Sequence, residues 1–116
     1  GLVDGDEGIR LENTVAVSLL KHVDCLREMD GEIASLHYVR TKDKREVDFV
    51  LTTNERLAFL IEVKLSDSDP SRDLKYFSRE FGDASAVQLV QNLRQPQSVG
   101  GIDIVRAADW LAGLSA

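Results

Sequence analysis

Apolar positions between residues 9 and 29 recur at helical spacing. Leu11, Val15, Leu19, His22 and Leu26 form one stripe, flanked by Ala16, Leu20 and Val23. Asp30-Gly31 supplies the stop, so a first helix is predicted over 9–29. Residues 1–8, with three glycines and three acids, read as a frayed lead-in. Beyond Gly31 the period falls to two. Strands are predicted at 35–41, 46–53 and 57–66, joined by polar turns at 42–45 and 54–56 into a meander. Asp67-Ser-Asp-Pro70 then makes a turn able to cap a helix over 71–81, with Leu74, Phe77 and Phe81 on its packed side. A fourth strand at 86–93 crosses over from the third. A polar loop at 94–101, a short strand at 102–105 and a closing helix at 107–114, with Trp110 packed, complete the chain. The predicted class is α/β: a mixed sheet flanked by helices, its core in the order αβββαβ, forming a single domain over 9–116.

The central hairpin carries the chemistry. With a three-residue loop at Asn54–Arg56, Thr53 pairs with Leu57, Asp48 lies opposite Glu62, and Glu46 opposite Lys64. Alternation then puts Glu46, Asp48, Glu62 and Lys64 on one face, and Phe49, Leu51, Phe59, Ile61 and Val63 on a core face. Directly opposed residues hold their Cβ atoms about 4.5–5.5 Å apart. Two carboxylates at that range repel unless a cation or a shared proton lies between them. Oxygen ligands from one or two carboxylates, completed by water and substrate phosphate, suit Mg²⁺. Lys64 would stand beside the pair as a charge able to orient water or steady a developing negative charge. The plainer reading is a set of ordinary cross-strand charges with a Glu46–Lys64 ion pair; it leaves the Asp48–Glu62 opposition unexplained.

Composition narrows the setting. A chain of 116 residues, 43% hydrophobic and 29% charged, fits one folded domain. No apolar run approaches the roughly 20 residues needed to span a bilayer. The acidic N-terminus lacks an apolar signal segment, and the single cysteine, Cys25, cannot form an internal disulfide. The expectation is a cytoplasmic protein with no membrane association. The net charge of −6 is unlike that of a free-standing, tight DNA binder. It is also uneven: residues 1–35 hold eight acids against three bases, residues 36–116 twelve against eleven. The one basic cluster, Arg40, Lys42, Lys44 and Arg45, is either a weak phosphate-backbone contact or a solvated turn. Arg72, Lys75 and Arg79 line the exposed face of the second helix, towards nucleic acid or water. Glu12 sits at the margin of the first helix's apolar stripe, either as a first-turn acid favoured by the helix dipole or as a paired or coordinated carboxylate. His22 reads as a core histidine, and His37 receives no role.

Asp48 followed by Glu62-Val-Lys64 resembles the D…(D/E)xK signature of the PD-(D/E)xK nuclease superfamily, with Val47 where a proline usually precedes the first acid. The wider wording extends the resemblance: Gly8…Glu12-Asn13, Tyr38-Val-Arg40-Thr-Lys, Glu46-Val-Asp48-Phe and Ile61-Glu-Val-Lys-Leu-Ser66. It is similar to the uncharacterised nuclease-like domain at the C-terminus of prokaryotic AAA-type ATPases, over roughly 8–114. The order αβββαβ is that of the restriction-endonuclease-like fold. The resemblance implies Glu12, Asp48 and Glu62 as ligands of Mg²⁺ or Mn²⁺, joined by the Val63 backbone carbonyl, with Lys64 as electrostatic catalyst. It implies DNA as substrate and an ATPase module upstream in the same chain. No GxxxxGK[ST] loop occurs, so no P-loop ATP site is expected within these residues.

Two functions follow as expectations. One is a metal-dependent phosphodiesterase acting on DNA. The other is a non-catalytic module binding nucleic acid or protein for the upstream ATPase. A homodimer would combine weak basic patches into one groove.

Overall fold

The computed structural model describes residues 5–114. Helix α1 (Gly5–Met29) is followed by strands β1 (Ala34–Arg40), β2 (Glu46–Thr53) and β3 (Arg56–Lys64). Then come helix α2 (Arg72–Glu80), strands β4 (Ser85–Val90), β5 (Gln97–Val99) and β6 (Ile102–Arg106), and helix α3 (Ala107–Leu114). The α/β class and the αβββαβ order are those predicted. The six strands form one sheet in the order β1-β2-β3-β4-β6-β5. β3 is the junction, antiparallel to β2 and parallel to β4. The β3-to-β4 crossover is made by α2, as a parallel connection requires.

The lead-in is shorter than predicted. Gly5 to Gly8 already belong to α1, and Gly8 is buried; residues 1–4 lie outside the described residues. Val15, Leu19 and Val23 are the buried spine of α1, whereas Leu20, predicted to flank the stripe, is half exposed. At the other end Gly31 takes φ 67°, and the Asp30 and Glu32 N–H groups donate to the Leu26 carbonyl at 3.2 and 3.1 Å. This left-handed stop satisfies orphan carbonyl capacity at the helix end. Arg27 Nε donates to the Ala34 carbonyl at 2.7 Å and ties that end to β1.

Both faces of the sheet carry core, which corrects the division into one core face and one polar face. Val15 and Leu19 of α1 and Ala107 of α3 pack with Ile61, Val63, Val87 and Leu89 on one side. Leu74 and Phe77 of α2 pack with Val47, Val50, Leu60, Ala86, Val90, Ile102 and Ile104 on the other. Of the predicted core set, Phe49, Phe59, Ile61 and Val63 belong to the first layer, while Leu51 packs with Val23 and Ala34; Trp110 meets Phe59 edge-on at 5.6 Å between ring centroids. Leu74 and Phe77 are the two buried side chains of α2, each stabilising by about 1.5–3 kcal/mol, and the Ser71 N-cap adds to their hold on the helix.

The polar loop predicted over 94–101 contains β5, paired with β6 through a turn in which Gly100 and Gly101 have φ 59° and 81°. All three β5 residues are exposed, so no hydrophobic alternation marks this edge strand. Among the described residues no helix is long and apolar enough to cross a membrane.

Candidate active site

The hairpin reaches its register by a different route from the predicted one. Its turn has two residues, Asn54 and Glu55, with φ 51° and 67°, and Thr53 pairs with Arg56. Positive φ at both positions is the two-residue turn whose twist suits a hairpin. A bulge then restores the missing residue: Thr52 pairs with Leu57 but Leu51 with Phe59, which leaves Ala58 extra on β3. From there Val50 faces Leu60 and Phe49 faces Ile61, the alignment that carries Asp48 towards Glu62. Asn54 has a second task. Its Oδ1 accepts from the Ile33 N–H at 3.0 Å, and its own N–H donates to the Ile33 carbonyl at 2.7 Å.

The β2–β3 ladder stops at Phe49–Ile61, one position short of the acids. Beyond it the Asp48 carboxylate, through Oδ2, accepts the Val63 N–H at 2.8 Å. β2 also bulges against β1: His37 pairs with Val50 and Val39 with Val47, so Asp48 and Phe49 together face Tyr38. The bulge resets the alternation. Val47 joins the α2-side core, and Glu46 turns to accept the Tyr38 hydroxyl at 2.5 Å. With Val47 on the α2 side, Glu46 falls with Tyr38 on the opposite side of the sheet, not on the face predicted for it with Glu62 and Lys64. The Glu46 carboxylate raises the Tyr38 phenol above its ordinary value, chiefly through this hydrogen bond.

Asp48 is 6% exposed and Glu62 1%. Charge in such a place requires polar partners. Glu62 Oε2 accepts from the Ser71 hydroxyl at 3.2 Å, and Ser71 Oγ in turn accepts the Leu74 N–H at 3.1 Å as the N-cap of α2. The Ser71 N–H donates to Gln88 Oε1 at 2.9 Å, while Gln88 Nε2 donates to the Asp69 and Asp67 carbonyls at 2.7 and 3.2 Å. Gln88, fully buried on β4, thus holds the loop that carries Ser71. Neither residue was singled out from the sequence. A lone polar residue in the apolar run Ala86–Val90 was the available signal for Gln88, and the capping pattern before Arg72 was the signal for Ser71.

Lys64, half-buried at the end of β3, lines a cavity of about 400 Å³ with Ser66, Asp67, Ser68, Asp69, Pro70 and Ser71. The cavity opens where the parallel strands β3 and β4 end, a recurrent ligand position in α/β sheets. Glu12 is half-buried on α1, and its carboxyl is held above the ordinary value of 4.5. Burial is the main cause; the charges of Glu62 and Glu46 add to it and Lys64 opposes it. Glu12, Glu46, Glu62 and Lys64 are therefore one electrostatic neighbourhood. Among the described residues, no three His, Cys, Asp or Glu side chains converge as a ready-made metal cluster.

The basic cluster divides. Arg45 lies over the Tyr76 ring of α2, 4.0 Å from its centroid, and pairs with Asp43 at 3.0 Å. Arg40 alternates with Val39, an α2-side residue, and so falls on the Tyr38 side of β1. Lys42 and Lys44 are exposed in the turn. His22 lines a separate cleft of about 240 Å³ between α1 and α3, with Ser18, Lys21, Cys25, Leu111 and Leu114. His37 is exposed on β1.

Neither a curated protein nor a solved structure matches the chain. A family profile does, over residues 7–110, which takes in every element from the first turns of α1 to Trp110 of α3 and with them all the acids described above. The chain belongs to that family, the domain of unknown function DUF4143.

Proposed function

We propose that this domain is a metal-dependent phosphodiesterase acting on DNA, with Asp48, Glu62 and the Val63 carbonyl as ligands of Mg²⁺ or Mn²⁺ and Glu12 as a further carboxylate. The observation that carries the reading is the buried Asp48–Glu62 pair, set where the β2–β3 ladder ends and fixed from both sides by the Val63 N–H and the Ser71 hydroxyl. Two carboxylates and a carbonyl on rigid strands fit an ion that takes one or two carboxylates and leaves its remaining positions to water and phosphate. A third converging acid is not required. When bound, the ion would supply Lewis-acid polarisation of the phosphate and a more acidic water.

The protein's own part is positional. The Val63 N–H keeps one Asp48 oxygen in place, and Ser71 does the same for Glu62. Lys64, which lines the cavity, would offset negative charge developing on the phosphate during in-line attack by water. The order αβββαβ, shared with restriction-endonuclease-like nucleases, adds support. The same reading makes the domain cytoplasmic and the C-terminal part of a longer AAA-type ATPase chain, active as a monomer or homodimer.

The overall charge of −6 favours the second reading, a non-catalytic module that binds nucleic acid or protein for that ATPase. Calorimetric titration with Mg²⁺ and Mn²⁺, beside Asp48→Asn, separates the two. Binding that is lost in the variant, followed by metal-dependent DNA cleavage that Lys64→Ala abolishes, upholds the nuclease. Absence of metal binding both without DNA and with it leaves the interaction module.

A further inference from the structure

The β1–β2 turn and α2 are distant in sequence and joined in space. The Arg45 guanidinium stacks on Tyr76, and the Glu46 N–H donates to Asp73 Oδ2 at 3.0 Å. Residues 41–45 and 71–81 hold six of the fourteen cations and only three of the twenty acids; the remaining residues hold eight cations against seventeen acids. A strongly acidic chain thus concentrates positive charge on one composite face. Two of its three acids are already engaged, Asp43 by Arg45 and Asp73 by the Glu46 N–H. Arg72, Lys75 and Arg79 are exposed and lie one turn apart along the outer side of α2. Lys42 and Lys44 are exposed in the turn whose end Arg45 and Glu46 tie to α2.

We propose that this face, Lys42, Lys44, Arg72, Lys75 and Arg79, is the docking surface for the phosphate backbone of a DNA duplex. The choice of DNA rests on the nuclease reading; the surface itself rests on charge and packing. At 1.5 Å per residue the stripe from Arg72 to Arg79 spans about 10 Å, room for two or three successive phosphates of one strand. It starts beside Ser71, whose hydroxyl reaches Glu62, so a backbone tracked along α2 arrives at the buried acids. The sequence showed two short basic runs of little weight. The Arg45–Tyr76 contact is what makes them one surface.

The test is fluorescence anisotropy with a labelled 20-base-pair duplex, in EDTA and with Asp48→Asn as parent, so that no cleavage intervenes. Charge reversal in pairs, Lys42→Glu with Lys44→Glu and Arg72→Glu with Lys75→Glu, is expected to weaken binding at least tenfold. Each pair should also make the salt dependence shallower by about one to two counter-ions, the signature of lost phosphate contacts. Lys21→Glu, on α1 across the sheet, is the control and is expected to leave affinity within twofold. Circular dichroism confirms that each variant folds. Unchanged affinity in both pairs, equal loss in the Lys21 control, or no DNA binding by the parent overturns the proposal. DNA binding with the expected pattern but no metal binding by the native chain retains the surface and removes the nuclease.

Discussion

Asp48 Oδ2 and the Val63 N–H, 2.8 Å apart, form a side-chain substitute for the next rung of the β2–β3 ladder. The contact makes Asp48 both a structural and a chemical residue, and two substitutions separate the roles. Asp48→Asn keeps an acceptor for the N–H and removes the charge. It is expected to fold with stability close to that of the parent and to lose divalent-metal binding. Asp48→Ala also strands a buried donor, at a cost of about 1–3 kcal/mol. Denaturant titration of the two variants reads the difference; equal stability would contradict the structural role.

Gln88 is expected to matter more than its distance from the acids suggests. Gln88→Leu keeps the volume but releases the Ser71 N–H and the Asp67 and Asp69 carbonyls. The exposed loop lets water take up part of that loss, so the expected destabilisation is about 1–3 kcal/mol. Hydrogen exchange should quicken at Ser71 and Leu74 before it does in β2, because the first turn of α2 loses its anchor.

Glu12 gives a pH-dependent prediction. Its carboxyl is raised above 4.5 in the folded chain, mainly by burial, so the folded state prefers it protonated. Its contribution is intact below the ordinary carboxylate range and is lost as pH rises through the folded value. Glu12→Gln is therefore expected to stabilise the metal-free domain at pH 7, by less than about 1 kcal/mol because the group is partly solvated. The gain should vanish below about pH 4. Thermal melts at the two pH values check both sign and window.

Glu55 occupies the left-handed region at φ 67° in a two-residue turn. Glycine has no steric penalty there, so Glu55→Gly is expected to stabilise by about 0.5–1 kcal/mol. Asn54 must stay, since it clasps Ile33 from both sides. A higher urea midpoint with an unchanged slope is the expected result.

Element order and most boundaries were legible because the chain is punctuated by Gly31, Asn54-Glu55, Pro70 and Gly82 between cleanly periodic runs. The Phe49–Ile61 register that leads towards the acids was legible too, though through a three-residue loop that is in fact a two-residue turn plus the Ala58 bulge. Those two departures cancel by the time the strands reach Phe49 and Ile61. The β2 bulge opposite Tyr38 does not cancel, and it is why Glu46 leaves the predicted face. Bulges are backbone events without a residue signature in this chain, so strict alternation could not reveal them. Gln88 and Ser71 escaped notice for another reason. Their significance lies in contacts across 17 residues of sequence, made only when β4 docks beside β3.

The sequence separation of that docking predicts an order of assembly. The β1–β2–β3 meander closes through short local turns, whereas the β3–β4 pair must wait for the whole α2 crossover. Until it closes, Gln88 cannot support the Ser71 loop, and Ser71 cannot reach Glu62. Mutations in β4 should consequently act mainly on the unfolding rate, while those at the Asn54-Glu55 turn slow or speed folding itself. On that order the two acids would belong to the early-forming half of the molecule, and the contacts that fix Glu62 would be completed by the late one.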